Sequence, residues 1–124
     1  MSRLLLVDDE ADNTSLFRIV LEDNGFVVDV FNDSRLALIN FKPGFYELLI
    51  FDIRMPMMDG LELYQEIRKL DDKVKVCFLT AFEMYDEMFR ESLQKLDSDG
   101  KCLISKPIEP YNFIKKIKQE LNQH

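Results

Sequence analysis

The chain reads as an open α/β domain, a parallel sheet with helices packed on both faces. Three observations predict this. Short unbroken apolar runs recur along the 124 residues, among them Leu4-Leu5-Leu6-Val7, Leu48-Leu49-Ile50-Phe51 and Val76-Cys77-Phe78-Leu79, and such runs suit strands covered on both faces. Between them lie segments whose apolar residues recur at helical spacing. Strand and helix alternate from end to end, which calls for a parallel sheet joined by right-handed crossovers.

The elements follow in order. Residues 3–7 form the first strand. Residues 12–24 carry Leu16, Phe17, Ile19 and Val20 at helix-like spacing, and Gly25 stops that helix. Residues 26–31 return to strand, interrupted by Asp29. Asp33 or Ser34 caps a short helix holding Leu36, Ile39 and Phe41, ended by Pro43-Gly44. Residues 47–51 are the next buried strand. Pro56 and Asp59-Gly60 break the chain before a helix with Leu61, Leu63, Tyr64 and Ile67.

Residues 74–79 are the fourth strand. Residues 83–96 are a helix with Tyr85, Met88, Phe89, Ser92, Leu93 and Leu96 near one face. Asp97-Ser98-Asp99-Gly100 turns the chain into a last strand over 101–105. A final helix over 111–121 turns Ile114, Ile117 and Leu121 inward and Lys115, Lys116 and Lys118 largely outward. Of the orders open to such a sheet, the flavodoxin-like, doubly wound 2-1-3-4-5 is the expectation, because it sets the first and third strands side by side at the switch point.

Composition narrows the function. A single domain over residues 1–124, with no output domain, is expected at this length. The net charge of -7 argues against direct binding to nucleic acid or an anionic membrane, since both need a positive surface. No apolar stretch is long enough to span a bilayer, and the start lacks the pattern of a signal peptide, so a soluble, cytoplasmic protein is expected. Cys77 and Cys102 are too few for a disulfide framework and read as buried, reduced thiols. His124 is the only histidine, which removes catalytic triads and histidine metal clusters.

The chemistry collects at strand ends. Asp8 and Asp9 follow the first run, Asp52 the third, Thr80 the fourth, and Lys106-Pro107 the fifth. In an open α/β sheet these carboxyl ends share one edge, where ligands bind. Acids crowded there repel one another unless a cation joins them. Magnesium suits such a site, because it takes oxygen ligands and needs only one or two carboxylates. Asp9 and Asp52 are candidates for direct ligation, with Asp8 ligating directly or through water.

One of these carboxylates is a candidate nucleophile toward a phosphoryl group. Lys106 and the Thr80 hydroxyl are suited to its oxygens. Taken singly, Asp8 reads as a helix-dipole partner, Lys106 as a solvated lysine and Thr80 as a capping or strand residue. The convergence of four strand ends on one chemistry is what favours the site.

These residues resemble the receiver domain of two-component response regulators. The resemblance covers essentially the whole chain and is most specific over Asp52-Ile53-Arg54-Met55-Pro56-Met57-Met58-Asp59-Gly60. Val7-Asp8-Asp9, Thr80-Ala81 and Lys106-Pro107 fall in the family's order. It implies that Asp52 takes phosphate from the phosphohistidine of a sensor histidine kinase or histidine phosphotransfer protein. It also implies Mg²⁺, with Mn²⁺ as the alternative ion, held by Asp8, Asp9, Asp52 and the backbone carbonyl of Arg54. Thr80 and Lys106 would contact the phosphoryl group.

Self-phosphorylation from small phosphodonors and self-dephosphorylation are implied too, with Arg54 and Phe82 at positions that tune the latter. The face made by the fourth helix, fifth strand and fifth helix would engage a downstream protein or a second copy. Two departures stand out. Leu103 replaces an aromatic residue common three positions before the lysine, and the segment from Thr80 to Lys106 is longer than usual.

Three rival readings differ in class. An aspartyl-nucleophile phosphatase like the haloacid dehalogenases wants an acid two residues after the nucleophile, where Arg54 stands. A flavin binder would have its phosphate repelled by three acids. A phosphate-independent docking module would not need all of these groups.

Overall fold

The computed structural model describes residues 2–81 and 87–122, with side-chain surroundings from 2–81 and 89–122. The expected helix start at Glu83, the side chains of Tyr85 and Met88, and Phe82 and His124 lie outside the described residues. Strands β1 (Arg3–Val7), β2 (Val27–Phe31), β3 (Leu48–Asp52), β4 (Lys75–Ala81) and β5 (Cys102–Lys106) alternate with helices α1 (Ala11–Asp23), α2 (Ser34–Asn40), α3 (Gly60–Arg68), α4 (Glu87–Ser98) and α5 (Pro110–Asn122). The sheet is parallel in the order β2-β1-β3-β4-β5, as the sequence predicts.

Strand pleating sorts the apolar runs into two cores, because successive side chains point to opposite faces. Leu5, Val7, Leu49, Phe51, Val76 and Phe78 pack beneath α2, α3 and α4 with Ala37, Leu63, Ile67 and Phe89. Leu4, Leu6, Leu48, Ile50, Cys77, Leu79 and Ile104 pack beneath α1 and α5 with Phe17, Leu21, Phe113 and Ile117. The rings of Phe17 and Phe113 meet at 4.5 Å and bind α1 to α5. Two-sided burial is why the runs are continuous rather than alternating.

Helix boundaries have local causes. Asp33 caps α2, accepting hydrogen bonds from the Arg35 and Leu36 amides, while the Ser34 hydroxyl donates instead to the Met58 carbonyl. Asp59 and Glu62 form a reciprocal capping box that starts α3. In the loop before it Met55 is buried, whereas Met57 is exposed and holds a left-handed φ of 70°.

Two expectations change. Leu16, Ile19, Leu36 and Ile39 are exposed although their spacing is helical, because α1 and α2 are anchored by Phe17 and Leu21 and by Ala37. Cys77 and Cys102, read as separate thiols, are register partners on β4 and β5 and are joined as a disulfide. Their meeting depends on a long-range register that residue type does not encode.

Candidate functional site

Parallel pairing sets the functional residues side by side. β1 and β3 are neighbours with Val7 opposite Phe51, so Asp8 and Asp52 leave the sheet at the same level. Asp52 is itself paired with Leu79, and Thr80 is the next residue of β4. Thr80 is in turn opposite Ser105, the residue before Lys106. Four strands thus deliver Asp8, Asp52, Thr80 and Lys106 to one edge.

Carboxylate oxygens of Asp8, Asp9 and Asp52 lie within 4.8 Å of one another. The Lys106 Nζ reaches between two of them, 3.2 Å from Asp52 Oδ1 and 3.5 Å from Asp8 Oδ2. Asp8, Asp52 and Thr80 are only 0%, 5% and 8% exposed, whereas Asp9 faces solvent. Arg54 stands two residues past Asp52 in the loop leaving β3, with its side chain exposed. The Lys106–Pro107 peptide is cis.

The electrostatics follow from crowding. Burial, followed by repulsion from Asp8, pushes the Asp52 carboxyl up to about 6, with Lys106 opposing the rise. Burial works against the Lys106 ammonium, yet Asp52 and Asp8 outweigh it and raise its pKa. Three carboxylates face one ammonium here, an excess that a divalent cation would neutralise. Hard oxygen donors with two of the carboxylates buried match what Mg²⁺ prefers, and Mn²⁺ accepts the same donors.

The surrounding backbone positions Asp8 and Asp52. The Glu10 amide donates to Asp8 Oδ1 at 3.0 Å and Asn13 Nδ2 to Asp8 Oδ2 at 3.4 Å. Asn32 Nδ2 donates to the Asp8 carbonyl and to Thr14 Oγ1, tying the β2 exit to the same corner. On the β3 side the Gly60 amide returns to the Ile53 carbonyl at 2.8 Å. A Cβ at Gly60 would fall 2.2 Å from the Asp52 carbonyl oxygen, so only glycine lets α3 start this close to the acid.

The structure brings Asp8, Asp9, Asp52 and Lys106 into one cluster, with Thr80 on the same sheet edge and Arg54 two residues past Asp52. The sequence pattern does not identify Asn13 and Asn32 as supports of Asp8. Asn13 carried a weak signal, an amide in the first turn of a helix that begins beside the acids. Asn32 carried none, since its role depends on where β2 ends relative to β1.

Comparisons with known proteins agree with this fold. The chain is 32% identical over 118 residues to an uncharacterised 14.6 kDa protein of Leptolyngbya boryana, covering 94% of this chain and 87% of that protein. It is 37% identical over 123 residues to the transcriptional regulatory protein CpxR homolog of Haemophilus influenzae, covering 99% of this chain and 52% of the relative. The chain thus spans about half the length of most of the curated relatives it matches.

Among solved structures, a CheY-like response regulator receiver domain protein from Methanospirillum hungatei superposes with a TM-score of 0.80 at 27% identity, covering 98% of this chain and 94% of that one. The non-phosphorylated HemR receiver domain of Leptospira biflexa gives 0.84 over 100% of this chain and 97% of its own, at 23% identity, a likeness of fold. The sequence profile of the response regulator receiver domain matches residues 4–118, nearly all of the chain that builds this sheet and its acidic edge. By that match the chain belongs to the response regulator receiver domain family.

Proposed function

We propose that the chain is a phosphorylation switch in which Asp52 accepts a phosphoryl group from the phosphohistidine of a sensor kinase or phosphotransfer protein. The observation that carries this reading is the Lys106 ammonium held between Asp52 and Asp8 at a buried sheet edge. An Asp52 carboxylate oxygen attacks phosphorus, the P–N bond of phosphoimidazole breaks, and the imidazole leaves with the electron pair. Such a transfer is mostly positioning and charge neutralisation.

Asp8, Asp9 and Asp52, with the Arg54 carbonyl, are the residues that would hold Mg²⁺ or Mn²⁺, which supplies positive charge for the phosphoryl oxygens. Lys106 leaves the carboxylates for a phosphoryl oxygen, and the Thr80 hydroxyl donates to another. Thr80 is the penultimate residue of β4 and Lys106 the last of β5, the strands that precede α4 and α5 in the chain. Their movement shifts the α4–β5–α5 face between two packings, and that face engages a downstream protein or a second copy of the chain. Phosphorylation supplies the differential stabilisation, and a swing from mostly off to mostly on needs about 5 kcal/mol.

Proteins similar to this chain include transcriptional regulatory proteins and a hybrid signal transduction histidine kinase of Dictyostelium discoideum, which supports a kinase as the phosphoryl source. Among the described residues no helix is long and apolar enough to cross a membrane. Acetyl phosphate tests the proposal directly. With Mg²⁺ the intact chain should gain the mass of one phosphoryl group, labile to hydroxylamine. Chelation or Asp52→Asn should abolish that gain, and undiminished labelling of the variant at another residue removes Asp52 from the role.

A further inference from the structure

Cys77 and Cys102 take no part in the edge chemistry. They occupy partner positions on β4 and β5, with Cα atoms 4.5 Å apart, and are joined as a disulfide. The pair faces the C-terminal half of α5. Cys77 lies in the core that contains Ile117, and Cys102 packs against it together with Leu121. A Glu120 carboxylate oxygen lies within 4.8 Å of both sulfurs.

The two sulfurs differ in access. Cys77 is fully buried and Cys102 only partly so, which makes Cys102 the more accessible residue of the pair. Their strands differ as well. β5 stands at the edge of the sheet and has β4 as its single strand neighbour. A covalent bond at this position holds the edge strand to the body of the sheet, four residues before Lys106.

We propose that Cys77–Cys102 is a reversible thiol–disulfide modification site. It is closed and opened by low-molecular-weight disulfides and thiols entering at Cys102, and its closure tethers the edge strand that carries Lys106. In closing, the Cys102 thiolate attacks one sulfur of a small disulfide, breaks that S–S bond and expels one half as a thiolate. The Cys77 thiol then releases its proton, which the departed small thiolate takes up, and attacks the Cys102 sulfur. The second half leaves as a thiolate. Two electrons pass from the two protein thiols to the small disulfide, which becomes two small thiols; a reducing thiol reverses each step. None of these steps involves phosphorylation of Asp52, so the site stands or falls separately from the switch.

The test uses the full folded chain in buffers of reduced and oxidised glutathione, acid-quenched, alkylated and weighed. Loss of both thiols in one two-electron step, reversed on returning to reduced glutathione, is expected. A minor species with one glutathione on Cys102 should accompany it. Amides of β5 should exchange hydrogen roughly tenfold more slowly in the oxidised chain, because the bond opposes local opening of the edge strand.

Two free thiols at every ratio, a bond that glutathione does not reopen, a disulfide between two chains, or equal β5 exchange in both states each overturns the proposal. Cys102→Ser should take up no glutathione at Cys77 while folded. Cys77→Ala should accept one at Cys102, which identifies the entry sulfur independently of how the serine variant folds.

Discussion

The strands that carry the acids and the strand that carries the lysine are built differently. β1 and β3 each lie between two other strands, and β3 is buried from end to end. β5 has one strand neighbour, and only Ile104 along it is fully buried. The carboxylates are thus mounted on the enclosed centre of the sheet and their counter-ion on an edge strand. Acids that must stay close despite repulsion need a scaffold that cannot spread. A cation that must change partners is better placed where displacement disturbs few packed neighbours.

Matched core truncations probe this contrast most strongly. Leu5→Ala removes a fully buried side chain from β1 and should cost about 3 to 4 kcal/mol in urea unfolding, as cavities in rigid cores do. Leu103→Ala on β5, where the side chain is only partly buried, should cost about 1 to 2 kcal/mol. Equal losses would erase the distinction between the enclosed centre and the edge strand.

The acidic side can be relaxed instead of cut. The Asp52 carboxyl, raised from 3.8 to about 6, binds its proton more tightly in the folded chain than in the unfolded one. Its contribution to stability is therefore complete below 3.8 and is lost as pH climbs to about 6, above which the native state carries the full cost of a buried charge. In chelator, Asp52→Asn should remove that slope and exceed the wild type at pH 8 by about 1 to 2 kcal/mol. Saturating Mg²⁺ should narrow the gap by stabilising the wild type, with three acids, more than the variant, which keeps two. Denaturant midpoints across pH measure both effects, and a variant less stable than the wild type at pH 8 would contradict the crowding argument.

The smallest expected effect lies in the loop that leaves β3. Met57 is exposed and adopts a left-handed backbone that costs a side-chain-bearing residue about 1 kcal/mol or more. Met57→Gly should raise stability by about 0.5 to 1 kcal/mol, a few degrees in thermal midpoint, with labelling of Asp52 unchanged. A fall in midpoint would mean that the methionine side chain, not the backbone, governs this loop.

Much of the fold was legible because burial on both faces leaves a mark. A strand such as 48–51 must be apolar at every position, and a charge directly after it, as at Asp52, announces the strand end. The functional edge was legible for the same reason, since Asp8, Asp52, Thr80 and Lys106 each follow such a run. Helix faces were less so. Leu16 and Ile19 share their helix with Phe17 and Val20, and spacing alone does not say which pair turns inward.

By itself the sequence determined the element types, their order and the chemical groups at the strand ends, because these depend on neighbours along the chain and on whether a segment meets water. Tertiary structure decided what depends on register between distant strands. That Asp8 rather than Asp9 is the buried acid against Lys106, that Asn32 braces it, and that Cys77 meets Cys102 all follow from pairings across the sheet. A single-residue slip would place each of these side chains on the opposite face without changing any local preference.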